Sequence, residues 1–317
     1  MKSNRLAGVR RVFWLLNLVV LVFAQELRAE DFDAAATQAA AAKGEAKAQY
    51  ELAWRYAKGR GLPQDLAQGV RYMRQAAEQG YALAETDLGA DYAQGSGVKQ
   101  DFPEAVKWFQ KAAAQGDALG QYCLGNCHIF GRGVDKDVAE GIKWWRAAAE
   151  NGRPEAQTAL GDFYMCRGPY VDTNYVSYVE AFKWLRLAGD QKYVPALNNL
   201  GYLYQYGLGQ AGKRDYAAAQ ACYLQAAAAG DPKAESNLGI MYQEGMGVKR
   251  DLVAAYKWFI LGADQREPAA RHCIADLEKT GLLSPDQIAQ ARQMADDFRA
   301  ALPQNGALPP TNSVPKP

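Results

Sequence analysis

The chain is predicted to be all-α, a row of stacked helical hairpins, and three observations carry that prediction. A leucine recurs at Leu52, Leu88, Leu124, Leu160, Leu200 and Leu238, with spacings of 36, 36, 36, 40 and 38 residues, the period of a supersecondary unit. From the second copy onward it is followed by glycine and then, six or seven residues on, by a turn rich in glycine. An acidic residue next opens an apolar run of helical period that closes on an Ala-Ala-x-x-Gly pattern.

The N-terminal segment comes first. Lys2, Arg5, Arg10 and Arg11 precede the apolar run Val12–Ala24, and polar residues follow it, the three-part layout of an export signal. That run has 13 residues against about 20 for a spanning helix, so residues 1–29 are read as a signal peptide cleaved after Ala24 or Ala29. The mature protein is then expected to be periplasmic, with secretion as the alternative, and to keep no stable membrane insertion. Residues 30–44 form a helical lead-in, 45–302 the repeats with a terminal cap, and 303–317 a Pro-rich tail expected to have no fold of its own.

Within one unit, Ala234, Leu238, Gly239 and Tyr242 fall on one face of a first helix, helix A. A glycine inside a helix costs about 1 kcal/mol relative to alanine, so its recurrence after the leucine calls for the close approach of another helix. Gly-x-Gly turns such as Gly95 and Gly97 reverse the chain through positive φ. Asp101 with Glu104, and Asp137 with Glu140, have the spacing of an N-cap and its capping-box partner and begin helix B. Its buried stripe includes Ala105, Trp108 and Ala112, and Gly80, Gly116, Gly152 and Gly230 stand where a left-handed C-cap is expected. A lone hairpin cannot bury both apolar faces, so neighbours must stack.

Charge and composition narrow the function. Lys and Arg total 36 against 35 Asp and Glu, which leaves no broad field to draw in nucleic acid. The two histidines, His128 and His272, are far apart in the repeat order and supply no metal-ligand set, and no cofactor motif is present. His128 occupies a column otherwise filled by tyrosine, such as Tyr92 and Tyr164, which marks it as a packed ring.

The phrase Ala-Leu-Gly-x-x-Tyr, Gly-x-Gly-Val-x-x-Asp, Ala-x-x-Trp, Ala-Ala-x-x-Gly, clearest over Ala84 to Gly116 and Ala234 to Gly262, resembles the Sel-one-like repeat, a relative of the tetratricopeptide repeat, over about residues 45–302. The resemblance implies an α/α superhelical solenoid of about six helix-turn-helix repeats plus a C-terminal capping helix. It also implies a non-enzymatic scaffold whose partner is a protein or peptide, with no cofactor, and the chain is expected to be monomeric. By analogy with tetratricopeptide arrays, helix A positions just before the leucine and two, five and six after it would line a concave groove: Trp54, Asn126, Phe130, Asp162, Asn199, Tyr202, Gln205, Tyr206, Asn237 and Glu244. Amides beside aromatic rings suit an extended peptide; the other reading of each residue is an ordinary solvated helix face.

Departures from the repeat are informative. The Trp column reads Tyr72, Trp108, Trp144, Trp184, Cys222 and Trp258, so the fifth unit is expected to repack. The fourth unit has a lengthened turn carrying Tyr170, Tyr175 and Tyr178, either a solvent-facing connection or a partner contact. Five cysteines leave at least one without an internal partner; Cys127 with Cys166 is a candidate disulfide, and small buried thiols are the alternative. Ser96 to Lys99 spells SxxK and Lys279 to Gly281 spells KTG, two parts of the penicillin-recognising signature. The third part is absent and no strand is predicted to hold KTG, so a cell-wall hydrolase or β-lactamase ranks below an interaction protein. A secreted factor that engages host proteins remains the other alternative.

Overall fold

The computed structural model describes residues 33–166 and 176–302, and these are all-helical: fifteen α-helices and no strand among the described residues. The expected signal peptide, the start of the lead-in, Tyr170, Tyr175 and the tail 303–317 lie outside the described residues. A short first helix, α1 (Ala34–Ala42), is followed by six hairpins and a terminal pair of helices. They are α2 (Ala46–Lys58) with α3 (Leu66–Glu78), α4 (Ala82–Gln94) with α5 (Phe102–Ala114), α6 (Ala118–Phe130) with α7 (Val138–Glu150) and α8 (Pro154–Tyr164) with α9 (Tyr178–Asp190). Then come α10 (Val194–Tyr206) with α11 (Tyr216–Ala228), α12 (Pro232–Glu244) with α13 (Leu252–Asp264), and α14 (Pro268–Thr280) with α15 (Pro285–Ala301). α15 is the expected capping helix; it and α14 both pack on α13, and α14 keeps arginine, histidine and aspartate on its uncovered side.

The chain forms two compact units. The first ends at Cys127 and takes in Gly131–Lys136; the second takes in His128–Phe130 and resumes at Asp137. In the first, Ala53, Val70, Met73, Ala84, Leu88 and Trp108 make one buried cluster. In the second, Trp258, Phe259, Leu277, Ala291 and Phe298 belong to another, and Phe298 meets Trp258 edge-on at 4.9 Å between ring centroids. α15 thus closes the apolar side of α13.

Local chemistry builds each hairpin as its sequence predicts, with one change. Asp101 and Asp137 accept from the backbone N–H groups of Glu104 and Glu140 at 3.0 and 2.9 Å. The glutamates do not reach back; they pair with Lys107 and Lys143 at 2.8 Å. The reason is that the cap residue's own N–H is already used: Asp101 donates to the Tyr92 carbonyl and Asp137 to the His128 carbonyl, both at 2.9 Å, which closes the A-to-B turn. Among the described residues a reciprocal capping box forms where the turn is short, between Ser284 and Gln287 at the head of α15.

The glycine after the column leucine makes room for the partner helix of its own hairpin. A methyl group on Gly201 would stand 2.7 Å from the Tyr223 ring. Tyr223 is fully buried, and its hydroxyl donates to Gln205 Oε1 at 2.8 Å. This ring stands in the column of Phe109, Trp145, Leu185 and Phe259, one residue beyond the Trp column, where the fifth hairpin places the small buried Cys222.

A second recurrent device is polar. Three residues before the column leucine stand Gln49, Glu85, Gln121, Gln157 and Glu235, all buried. Gln49 and Gln157 donate to the Ala41 and Ala149 carbonyls, at 3.2 and 3.0 Å, near the end of the preceding helix. Each also takes a hydrogen bond from a glutamine that ends its own helix B: Gln79 to Gln49 at 2.6 Å and Gln191 to Gln157 at 2.9 Å. Orphan helix-end carbonyls are satisfied in this way inside the core.

Candidate functional site

The A helices carry the candidate residues, and in each unit the hydrogen bonds run from one A helix to the next. In the first unit, Asp87 on α4 accepts at one carboxylate oxygen from the Tyr50 hydroxyl and from Trp54 Nε1 on α2, both at 2.9 Å. Lys58 stands over the Trp54 ring at 5.3 Å. Burial raises the Asp87 carboxyl to about 6, against the pull of those two donors. Asp91, one turn further along α4, is raised to about 7, first by burial and then by the charge of Asp87, while Lys58 and Ser96 oppose the shift. Asn126 is half-buried on α6.

In the second unit a chain of amides links three A helices. Asn237 on α12 donates to Asn198 at 2.9 Å, Asn198 donates to Asn199 at 3.4 Å, and Asn199 donates to Asp162 on α8. Beside it on α10, the Tyr202 and Tyr206 rings pack at 4.7 Å, tilted by 48°. Tyr206 is 42% exposed, and Glu244 at the end of α12 is exposed as well. Phe130 is half-buried.

Two expectations change on contact with the structure. Gln205 is 3% exposed and holds Tyr223 and the Met246 sulfur, the latter at 3.2 Å. It is a core residue, because five positions past the column leucine of α10 points toward helix B. No disulfide joins Cys127 to Cys166. Cys127 lies in the core, where burial pushes its thiol up to about 12, which suppresses the thiolate that disulfide formation needs. Cys166 follows α8 with a left-handed φ of 55°.

Sequence reasoning omitted Tyr50, Asp87, Asp91 and Asn198. Asp87 stands directly before the column leucine, a position already assigned to the face, and Tyr50 and Asn198 share the position before that. That column was the available signal. Tyr178, the described member of the loop set, is the first residue of α9 and is 38% exposed. Lys279 to Gly281 ends helix α14, so the KTG run is helical where the enzyme signature needs a strand. Ser96 and Lys99 lie in the turn after α4.

Repeated hairpins, a shared polar seam between successive A helices and aromatic rings left at the surface define a helical repeat scaffold of the α/α solenoid class. The Sel1 repeat model matches residues 46–81, 82–117, 118–152, 154–193, 194–231 and 232–266. The chain belongs to the Sel1 repeat family, whose repeats generally mediate protein–protein interaction. Among solved structures it is similar to a protective antigen of uropathogenic Escherichia coli strains displaying the same fold. That match has 35% identity and a TM-score of 0.72 and covers 84% of this chain and 56% of the antigen. A Sel1 repeat protein of Oxalobacter formigenes matches at 29% identity and a TM-score of 0.60, over 69% of this chain and 88% of that one. A 55-residue stretch is 46% identical to the ERAD-associated E3 ubiquitin-protein ligase component HRD3B of Arabidopsis thaliana, covering 17% of this chain and 9% of that protein. The chain therefore spans about half of the antigen and under a tenth of the ligase component.

Proposed function

We propose that the chain is an exported, periplasmic adaptor that binds a protein or an extended peptide on the exposed face of its A helices and serves envelope assembly or signalling. The observation that carries this reading is the Tyr202–Tyr206 ring pair, with Tyr206 42% exposed beside the amide chain of Asn237, Asn198, Asn199 and Asp162. Large rings with a polar tip are the side chains that anchor interfaces at low entropic cost, and amides can pair with a peptide backbone. Export is supported by the basic residues and apolar run at the N-terminus.

The test is capture from envelope extract, read by mass spectrometry, with the mature chain and with Tyr206→Ala. Loss of a surface anchor costs about 2 kcal/mol of binding, so the principal partner is expected to be recovered at least tenfold less well while thermal unfolding is nearly unchanged. Equal recovery would remove the face from consideration. A second reading, a secreted factor acting on host proteins, is favoured by the similarity to the protective antigen. Fractionating a culture that expresses the full chain separates the two: processed protein in the periplasm supports the adaptor, and accumulation in the medium supports the secreted factor.

A further inference from the structure

The surface around the Tyr202–Tyr206 pair carries one sign of charge. The three A helices that the amide chain links, α8, α10 and α12, hold a single cation, Lys233. It is the second residue of α12, eleven residues before Glu244, which is about 16 Å along a helix. Four carboxylates stand on the same three helices. Two of them belong elsewhere: Glu155 pairs with Arg153 at 2.8 Å, and Glu235 is buried in the core beside Gln265. Asp162 and Glu244 are the two on the face.

The repeat sets where they stand. Asn199, one turn before Tyr202 on α10, donates to Asp162 on α8, so this carboxylate lies beside the same stretch of α10 as the first ring. On the other side, Asn237 of α12 donates to Asn198 of α10 at 2.9 Å. Glu244 is seven residues past Asn237, and Tyr206 is eight past Asn198, about two turns further along each helix. The ring pair is thus flanked by a carboxylate on each neighbouring A helix. Glu244 is exposed and accepts from the side chain of Gln243 at 3.1 Å. Arg250, in the turn that follows α12, donates to the Gln243 carbonyl at 3.0 Å.

A carboxylate next to an exposed aromatic ring suits a guanidinium. Its plane stacks on the electron-rich ring face while its fork of N–H groups pairs with the carboxylate. An acidic or phosphorylated segment would meet like charge here. Given the A-helix face as the binding surface, we propose that its occupant is an arginine-bearing extended peptide, with the guanidinium on Tyr206 and Glu244 and the peptide backbone along the amide chain. Asp162, on the far side of the ring pair, keeps the field negative across α10.

Selection of displayed random peptides on the full chain tests it. Peptides whose capture is lost with Tyr206→Ala are expected to carry an arginine. A synthetic copy of the strongest is expected to bind Glu244→Gln roughly tenfold less tightly than the parent, and to bind the parent less well as salt is raised. Glu244 is exposed at a helix end, so thermal unfolding of Glu244→Gln should match the parent. Replacing the peptide's arginine by citrulline keeps the shape and removes the charge. That change should cost about as much as Glu244→Gln, and the two together little more than either, because they break one contact. Tyr206-dependent peptides without arginine overturn the proposal and leave the face standing as a binding surface. Arginine peptides indifferent to Glu244→Gln overturn it as well. If no selected peptide depends on Tyr206, the face and its proposed occupant fall together.

Discussion

At the scale of single residues, the buried glutamine column makes an unusual case of Glu235. It stands where three other hairpins place glutamine, takes a hydrogen bond from Gln265 at 3.1 Å and is 3% exposed. Burial, then the charge of Asp231, raises its carboxyl to about 8, so near neutrality it is largely protonated and resembles the amide it replaces. A carboxyl whose folded value lies above its unfolded one contributes stability below about pH 4.5, and that contribution is lost as pH rises through about 8. Glu235→Gln removes the dependence. Denaturant melts are expected to show nearly equal stability for the variant and the parent at pH 5, and a variant more stable by about 2 kcal/mol at pH 8. An equal difference at both values would mean that the carboxyl is not held in its neutral form.

At the scale of elements, the hairpin depends on two helices approaching closely enough to exclude a methyl group. Gly201→Ala would gain about 1 kcal/mol in helix propensity, yet its methyl would stand 2.7 Å from a fully buried Tyr223 ring that is also tied by its hydroxyl to Gln205. A ring held at both ends cannot step aside, and overpacking of this kind costs about 1 to 3 kcal/mol. Net destabilisation is therefore expected in equilibrium unfolding. Combining Gly201→Ala with Tyr223→Leu should cost less than the sum of the single changes, because the two share one contact; strict additivity would place the strain elsewhere. The cap at the other end of the hairpin was readable from Asp101 and Glu104, but the capping-box partnership was not. It depends on whether the turn returns a carbonyl to the cap's N–H, as the Tyr92 carbonyl does.

For the whole molecule, helices pack mainly on those one or two places away in sequence, so damage should stay near its origin. Phe298 on α15 is 3% exposed and closes over Trp258. Phe298→Ala is expected to cost about 3 kcal/mol and to raise amide exchange through α13 and α14, while protection in α2 to α5 stays at its parental level. A uniform rise along the chain would show a single cooperative body instead.

The column leucines, the glycines beside them, the acidic caps and the turn glycines specify the hairpin wherever they occur, because periodicity, propensity and capping act within about forty residues of chain. That is why the all-helical class and the six matched repeats were legible in the residues alone. The tertiary structure decided what depends on groups far apart in sequence: that Gln205 faces Tyr223 and belongs to the core, that Tyr50 and Trp54 converge on Asp87, and that Cys127 remains a buried thiol. The glutamine ladder shows the division clearly. Its column is visible as Gln49, Glu85, Gln121, Gln157 and Glu235, and in the fifth hairpin Leu197 stands in that place while Ala229 stands where a glutamine ends other B helices. Only the folded packing shows that these two positions, some thirty residues apart, form one hydrogen bond or none, since a buried polar group keeps its place only when its partner arrives from another helix.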